Sequence, residues 1–223
     1  MLIDMHIHES KYSLDSKFTL EEAVDRARKV GLNGICITDH ESSDIFDEAH
    51  EYSKKSNFLV LVGAEILTFE GDILVFGLKD LPNHKMHAIE LLRLISKNNG
   101  IAISAHPFRN NNRGLGSHIR EVNSIISGVE AFNGSTEPHQ NLHAYTLATE
   151  LKLPSVGSSD AHTLDKIGKY ATVFEDGIRD ELDLIEAVKR GNVYPSILKN
   201  DVHYPIDIYR NIHEYEKINK TAV

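Results

Sequence analysis

Five short apolar runs stand out along the chain, and each of them ends at a histidine or a carboxylate. The runs cover residues 2–5, 34–39, 59–64, 101–105 and 154–159. Strands of a parallel sheet that are buried on both faces have this apolar character. In α/β proteins the functional site lies at the carboxyl ends of such strands. The pattern therefore predicts strands whose ends bring polar side chains to one site.

Segments with helical spacing alternate with these runs. Thr19 and Glu22 form a capping-box signature, and Gly31 is the expected end of the helix that follows. Further helices are predicted over residues 43–56, 84–99, 139–152 and 180–190, with a hairpin at Gly71 and Asp72. The alternation predicts an α/β fold with a mainly parallel sheet. Because the polar side chains recur at run ends, a closed barrel is favoured over an open sheet.

The composition narrows the classes of function. The chain has 223 residues, of which 41% are apolar, and a net charge of −9. This length suits one domain, and the acidic balance argues against binding of long nucleic acid. The single cysteine, Cys36, excludes an intrachain disulfide and is expected to be a small buried apolar residue. Because neither a signal peptide nor a membrane-spanning stretch is recognised, we expect a cytoplasmic protein that does not bind membranes.

The side chains at the run ends have the types and spacing of metal ligands. His6 and His8 are two residues apart, so a strand presents both on one face. Asp160 and His162 repeat this spacing near the other end of the chain. The remaining run ends are His40, Glu65 and His106. Each position alone has an ordinary structural explanation, such as helix capping, but their joint placement favours a metal centre.

The motifs at these positions occur in a recognisable order. They are Asp4-Met5-His6-Ile7-His8, Thr38-Asp39-His40, Gly63-Ala64-Glu65, Ala105-His106-Pro107 and Gly157-Ser158-Ser159-Asp160-Ala161-His162. This ordered set resembles the PHP (polymerase and histidinol phosphatase) family. The resemblance implies an α/β fold, a distorted TIM-like (β/α)7 barrel, over residues 1–198. Residues 199–223 are predicted to be a polar C-terminal extension that packs on the barrel, with a helix over residues 206–219.

The resemblance also implies a set of metal ligands. Residue by residue, the ligands fall on His6, His8, Asp15, His40, Glu65, His106, Asp160 and His162. Family members with three metals have a further histidine at the end of the strand that precedes Asp160. The nearest residues of this chain are Glu130, Asn133 and His139, and none of them matches clearly. The sequence therefore leaves open whether two or three metal ions bind.

The ligand types indicate the chemistry of the site. Mixed imidazole and carboxylate ligands suit Mn, Zn or Fe better than Mg or Ca. Two such ions, about 3.5–4 Å apart, would hold a bridging hydroxide that attacks phosphorus. Glu65 is the expected bridging carboxylate. Asp160 or His162 is expected to protonate the leaving oxygen.

Three further residues are assigned supporting roles. Arg109 lies on the loop after the fourth run, where it is either a bidentate phosphate clamp or a solvated loop residue. Asp4 and Asp39 are expected to orient the imidazoles of neighbouring ligands. The candidate catalytic residues are therefore Glu65, Asp160, His162 and Arg109.

The predicted function is that of a metal-dependent phosphoesterase, a phosphoric ester hydrolase. Its expected substrate is a small phosphomonoester, a nucleotide or a short oligonucleotide. One alternative is an amidohydrolase-type enzyme that cleaves C–N bonds on a related barrel, although no run ends in the lysine that such enzymes often carboxylate. A non-catalytic metal-binding module is the other alternative, and the nearly complete ligand set argues against it. The sequence does not distinguish monoester from diester substrates.

Overall fold

A computed structural model describes residues 1–206 of the chain. The strands in this part are β1 (Leu2–Ile7), β2 (Gly34–Ile37), β3 (Leu59–Val62), β4 (Ala64–Leu67), β5 (Asp72–Phe76), β6 (Ile101–Ser104), β7 (Gly128–Asn133), β8 (Ser155–Ser158), β9 (Tyr170–Val173), β10 (Tyr194–Lys199) and β11 (Val202–Pro205). The helices are α1 (Leu20–Lys29), α2 (Phe46–Ser56), α3 (Ala88–Lys97), α4 (Ile119–Val122), α5 (Pro138–Leu151) and α6 (Glu181–Arg190). Strands and helices thus alternate over most of the described chain, as the apolar pattern predicts.

The strands form two mixed sheets. The first has the order β11-β10-β9-β1-β2-β3, and the second has the order β4-β5-β6-β7-β8. In the first sheet β1, β2 and β3 are parallel, whereas β9, β10 and β11 pair in antiparallel fashion. In the second sheet β6, β7 and β8 are parallel, and β5 is antiparallel to both of its neighbours.

One passage of the chain and two isolated bridges, one of them between His40 and Glu65, link the sheets. Only Gly63 separates β3 from β4, so one stretch of chain passes from the first sheet into the second. A Cβ atom at Gly63 would lie 2.6 Å from the Phe76 ring, so glycine permits the close passage of the chain. On the other side, Ile7 and Ala161 form an isolated parallel bridge. This bridge brings the carboxyl end of β1 next to the carboxyl end of β8.

The predicted distorted TIM-like (β/α)7 barrel is wrong, because residues 1–206 form two mixed sheets and no closed barrel. Apolar runs predict strands without fixing their direction. A parallel connection needs a crossover of about a dozen residues or more. Residues 68–71 are too few for such a crossover, so β4 and β5 pair in antiparallel fashion. This hairpin, which Gly71 and Asp72 predict, is confirmed.

The five predicted helices are confirmed, with ends that shift by a few residues. At the start of α1 the backbone N–H of Glu22 donates to Thr19 Oγ1 at 3.3 Å, and the Glu22 carboxylate accepts from the Thr19 N–H at 2.9 Å. Gly31, with a φ of +78°, follows the end of this helix. Within residues 1–206, every helix is too short or too polar to cross a membrane. The predicted helix over residues 206–219 lies outside the described residues except for Ile206, and the domain division at residue 198 stays a prediction.

The apolar core is divided among the faces of the two sheets. One cluster packs α1 and α2 on the first sheet, and another packs α3 and α5 on the second. A third cluster joins Met5 and Leu61 of the first sheet to Leu74 and Ile103 of the second. Cys36 is fully buried in this third cluster, as its apolar surroundings predict. Because the strands are packed on both faces, their carboxyl ends are held in place for the polar residues that follow.

Candidate metal centre

The predicted ligands converge at the carboxyl ends of the strands. His6 lies in β1 and His8 directly follows it, whereas His40 follows β2. Glu65 lies in β4, next to the passage between the sheets. The remaining predicted ligands, His106, Asp160 and His162, follow β6 and β8, and Asp15 lies on the loop after β1. The structure thus brings all eight predicted ligands to one cluster.

Glu65 lies at the centre of the cluster. Its Oε1 is 2.9 Å from Nε2 of His106 and 3.5 Å from Nε2 of His6. Its Oε2 is 2.8 Å from Nδ1 of His40 and 3.5 Å from Nε2 of His8. The side chain is only 2% exposed. One buried carboxylate therefore faces four imidazoles, which is the arrangement expected of a carboxylate that bridges metal ions.

Asp160 closes the cluster from the opposite side. Its Oδ1 is 3.3 Å from Nε2 of His8 and 3.5 Å from both Nε2 of His6 and Nδ1 of His162. The Asp160 backbone has a φ of +50°, a left-handed conformation that is uncommon outside glycine. A hydrogen bond from the Asp160 N–H to the His6 carbonyl at 2.8 Å holds this conformation. The strained turn aims the carboxylate at the histidine pair of β1.

The outer edge of the cluster is open to solvent. Asp15, which is 59% exposed, lies 3.3 Å from Nε2 of His40 and 3.2 Å from Nε2 of His162 through its Oδ2. These residues line a cleft of about 180 Å³ that also reaches Glu65 and His106. A ligand bound in the cleft would therefore contact the cluster directly.

The donor atoms have the spacing that a metal ion requires. Three groups, each with all its donor atoms within 4.8 Å of one another, are His8–His40–His162, His6–His8–Asp160 and Glu65–Asp72–His106. Ligands about 2.0–2.2 Å from a Zn²⁺ ion lie roughly 3–3.5 Å apart around it, close to the nitrogen–oxygen distances given above. His40 Nδ1 and His106 Nδ1 are buried without a hydrogen-bond partner, although the former lies close to Glu65. The residues present therefore fit divalent ions with nitrogen and oxygen ligands.

Burial and mutual charge set the protonation of the cluster. Burial opposes ionisation of Glu65, but His6, His106 and His40 hold its pKa well below the usual value. Burial also acts to lower the pKa of His6, and the nearby carboxylates, Asp160 foremost, raise it well above the usual value. Burial lowers the pKa of His8 to about 4. His8 is therefore neutral near pH 7 and has a lone pair available for a metal ion.

Glu130 lies on β7, the strand where the sequence offers no clear ligand. It makes hydrogen bonds to two candidate ligands, His6 and His106, and its own oxygens do not face the cluster centre. It is completely buried, and its Oε1 lies 2.9 Å from Nδ1 of His6. Its Oε2 accepts the His106 backbone N–H at 2.6 Å and the Asn133 amide at 2.9 Å. A carboxylate bonded to the far nitrogen of an imidazole fixes the tautomer and the ring orientation. His139, the third residue considered there, is exposed on α5 and lies outside the cluster.

The two aspartates assigned to imidazole orientation differ in what they contact. Asp39 Oδ1 accepts the Ser13 hydroxyl at 2.7 Å, and Ser13 Oγ lies 3.3 Å from Nδ1 of His8. Asp39 thus reaches His8 through Ser13. Asp4 instead accepts the backbone N–H groups of Ser159 at 2.9 Å and Gly168 at 3.0 Å. Its contacts fix the backbone around the end of β8.

Arg109 points into the cluster and is only 19% exposed, unlike a solvated loop arginine. Its Nη2 donates to the Asp160 carboxylate and, at 2.6 Å, to Asn133 Oδ1. Its Nε donates to Thr136 Oγ1 at 3.0 Å. The guanidinium therefore lies at the wall of the cleft with its orientation set by three partners.

Asp72 is the residue of the cluster that the sequence analysis missed as a ligand. It is 1% exposed, and its Oδ2 lies 3.7 Å from Nε2 of His106. In the β4–β5 hairpin Glu65 pairs with Leu74, and Leu67 pairs with Asp72. Residues two apart on one strand share a face, so this register places Glu65 and Asp72 on the same face. The hairpin signal at Gly71 would have revealed the contact once its register was considered.

Two models of protein families match this chain. The PHP domain model matches residues 4–112, and the PHP-associated model matches residues 138–193. An uncharacterized protein of Methanocaldococcus jannaschii is 33% identical over 144 residues, which are 60% of this chain and 82% of that protein. The chain belongs to the PHP family. The resemblance in the sequence motifs is thereby confirmed.

Other PHP relatives match shorter segments. A Thermotoga maritima protein named "Probable histidinol-phosphatase" is 32% identical over 60 residues, which are 27% of this chain and 25% of that enzyme. Solved structures share the fold over a longer range. A two-domain Bacteroides vulgatus protein with a predicted PHP-like metal-dependent phosphoesterase aligns with a TM-score of 0.72 and 19% identity, over 89% of this chain and 65% of that one.

An endonuclease also shares this fold. The lesion-specific endonuclease EndoQ of Pyrococcus furiosus aligns with a TM-score of 0.65 and 16% identity, over 85% of this chain and 56% of that one. Such identity shows the fold alone. The family assignment and the cluster of candidate ligands together support a metal-dependent phosphoesterase among the hydrolases.

Proposed function

We propose that this PHP protein hydrolyses the phosphoester of a small phosphomonoester, a nucleotide or the end of a short oligonucleotide. The observation that carries the proposal is the placement of Glu65 among four imidazoles, with Asp160 opposite, at the bottom of an open cleft. Phosphoryl transfer requires neutralisation of the phosphoryl oxygens and an activated water. Metal ions in this cluster would supply both.

The candidate metal ligands form two groups at different depths in the cleft. His6, His8 and Asp160 form the innermost group, with Glu65 beside them. His40 and His162 form an outer group with His8, and Asp15 lies next to both. Bound Mn, Zn or Fe ions would supply Lewis acidity and lower the pKa of water. Glu65, whose two oxygens face the two groups, is suited to hold ions of both.

Arg109 is suited to bind the substrate phosphate. Its guanidinium lies beside Asp160, so a phosphoryl group held at the innermost ligands comes within reach of it. Asn133 and Thr136 orient the guanidinium. Arginine binds phosphate oxygens through charge-assisted hydrogen bonds in a fixed geometry. We therefore assign phosphate binding to Arg109.

Of the two candidates, His162 is the better proton donor to the leaving oxygen when it is not engaged with a metal ion. Asp160 is 2% exposed and already contacts His6, His8 and Arg109. His162 is 29% exposed on the cleft and lies 3.2 Å from Asp15 through Nε2. An imidazole at the mouth of the cleft can pass a proton to a leaving group and regain it from solvent.

The size of the cleft and the net charge of the chain favour a short substrate. The cleft measures about 180 Å³, and acidic residues exceed basic ones by nine over the whole chain. A long nucleic acid needs an extended basic surface. The fold is nevertheless shared with a lesion-specific endonuclease, so oligonucleotide ends belong among the substrates to be tested.

A substrate screen with defined metal loading tests the proposal. The purified protein is stripped with a chelator, reloaded with Mn²⁺, Zn²⁺ or Fe²⁺ and assayed on p-nitrophenyl phosphate, bis-p-nitrophenyl phosphate, nucleotides, short oligonucleotides and N-acyl amides. We expect phosphoester turnover that depends on the metal and is absent from the stripped protein. Turnover of amides alone would instead support a C–N hydrolase. Metal binding without turnover of any phosphoester in the screen would contradict the proposal.

A further inference from the structure

Asp72 is held in one position by four hydrogen bonds. Its backbone N–H donates to the Arg113 carbonyl at 2.7 Å, and its carbonyl accepts from the Ala105 N–H at 3.1 Å. Arg113 also donates to the Asp72 carboxylate through Nε at 2.7 Å and Nη2 at 3.0 Å. A Cβ atom at Gly71, the residue before Asp72, would lie 2.6 Å from the Gly114 backbone, so glycine permits the close approach of the loop. Asp72 is thereby clamped between the strand before His106 and the loop after it.

The clamped carboxylate faces the inner part of the cluster. Asp72, Glu65 and His106 have donor atoms within 4.8 Å of one another, and all three residues are buried. His106 Nε2 is 2.9 Å from Glu65 Oε1 and 3.7 Å from Asp72 Oδ2. An ion with bonds of about 2.0–2.2 Å fits between atoms with these separations. The group thus has two carboxylates and one imidazole around a single point.

Glu130, the other carboxylate near His106, has no coordination position left. Each carboxylate has about four lone-pair sites. Glu130 Oε1 is within hydrogen-bond distance of Nδ1 of His6 at 2.9 Å and the Ser158 hydroxyl at 2.5 Å. Its Oε2 accepts the backbone N–H of His106 and the Asn133 amide. All four sites are in use, so Glu130 is not available to a metal ion.

Asp72 does have coordination sites left. Arg113 provides one hydrogen bond to each of its oxygens, and Asp72 makes no other side-chain hydrogen bond among residues 1–206. One lone pair on each oxygen therefore remains for a second partner. The Arg113 guanidinium lies on the outer side, where its side chain is 40% exposed. The arrangement is that of a carboxylate ligand oriented by an outer hydrogen-bond donor.

We propose that Asp72, together with Glu65 and His106, holds a metal ion. Asp72 would supply the ligand that β7 does not provide. This inference rests on the proposed metal-dependent function and extends it to a third ion next to the two groups built on His8. Arg113 acts as a positioning residue, because it keeps the Asp72 carboxylate turned toward His106.

Metal stoichiometry tests the assignment independently of turnover. Wild type, Asp72→Asn, Asp72→His and Glu150→Gln are each reloaded with Co²⁺, passed through a desalting column and analysed by mass spectrometry of the metal and by visible absorption. We expect Asp72→Asn to lose one equivalent of Co²⁺ relative to wild type. Glu150→Gln, the control, removes a carboxylate that pairs with Arg120 outside the cluster, and it is expected to keep the wild-type count.

The histidine variant separates ligation from structural support. Asparagine can still accept hydrogen bonds from Arg113 but is a poor ligand, whereas histidine loses the bidentate pair and is a good ligand. We expect Asp72→His to retain the Co²⁺ count of wild type. A wild-type count in Asp72→Asn would overturn the proposal, as would loss of the ion in Asp72→His with the circular dichroism of the folded protein unchanged. If wild type binds the full count but hydrolyses no phosphoester, the proposed function fails and the ligand assignment stands.

Discussion

The carboxylate of Glu130 lies 2.9 Å from Nδ1 of His6, which leaves Nε2 of His6 facing Glu65 and Asp160. The two residues are 124 positions apart in the chain. Once His6 loses its second proton, this contact keeps the remaining hydrogen on Nδ1 and leaves the lone pair on Nε2. The ring of His6 is therefore oriented toward the metal position before any metal binds.

Loss of the Glu130 carboxylate should weaken metal binding without removing a site. In Glu130→Gln the amide no longer holds the His6 ring as a carboxylate does, so we expect affinity for the first metal ion to fall about 10- to 100-fold. Isothermal titration calorimetry on stripped protein measures this change. An affinity equal to that of wild type would show that the His6 contact does not support metal binding.

Removal of an inner ligand should abolish turnover. In His8→Ala and Asp160→Ala we expect phosphoester hydrolysis to fall to background while circular dichroism stays that of a folded protein, because both side chains contact the shared donor cluster. His118→Ala is a matched control, since His118 is 53% exposed and lies outside the cluster. Retained turnover in either ligand variant would argue against this site.

Loss of the Arg109 guanidinium should affect substrate more than metal. A charge-assisted hydrogen bond contributes about 1.5–3 kcal/mol, so Arg109→Met should lower kcat/KM roughly 10- to 100-fold. The metal content should stay at the wild-type value, because arginine is not a ligand. Arg120→Met, which removes an exposed arginine paired with Glu150, should have wild-type kinetics. Unchanged kcat/KM in Arg109→Met would remove Arg109 from the phosphate site.

Metal affinity should rise with pH. The carboxylates around His6 raise its pKa well above the usual value in the metal-free protein, so His6 carries a second proton, and a positive charge, near neutrality. A metal ion must displace that proton, and the cost falls as pH rises toward the raised pKa. Calorimetric titrations between pH 6 and 8, in buffers with different enthalpies of ionisation, should show tighter binding at high pH and net proton release. Binding that is independent of pH would indicate that His6 is neutral in the stripped protein.

Metal binding should also stabilise the fold. The buried carboxylates Glu65, Asp72, Glu130 and Asp160 lie close together, with the guanidiniums of Arg109 and Arg113 beside two of them. A ligand at 100 times its Kd stabilises the native state by about 2.7 kcal/mol, which corresponds to roughly 5–10 °C in Tm for a domain of this size. Differential scanning calorimetry with and without a chelator measures the shift. In His8→Ala the chelator should change Tm by less than in wild type.

The sequence by itself determined eight of the candidate ligands and the positions of most strands and helices. Apolar runs and capping residues act over a few neighbouring positions. Thr19 and Glu22 therefore predict the start of α1, and the histidine pair at the end of β1 predicts a functional site. The direction of the strands was not determined in this way. The short turn before Asp72 forces an antiparallel hairpin, and the resulting two mixed sheets replace the predicted barrel.

Only the tertiary structure decided which polar residues of the site contact one another. Glu130 and Asp72 are both carboxylates at buried positions, and their spacing along the chain does not distinguish them. The pairing of β7 with β8, which lies beside β1, turns Glu130 to His6 and Ser158. The hairpin register and Arg113 turn Asp72 to Glu65 and His106. Such contacts join residues that are distant in sequence, and their distances depend on how the two sheets pack. Local pattern therefore specifies which chemistry is present, and long-range packing specifies which atoms can share an ion.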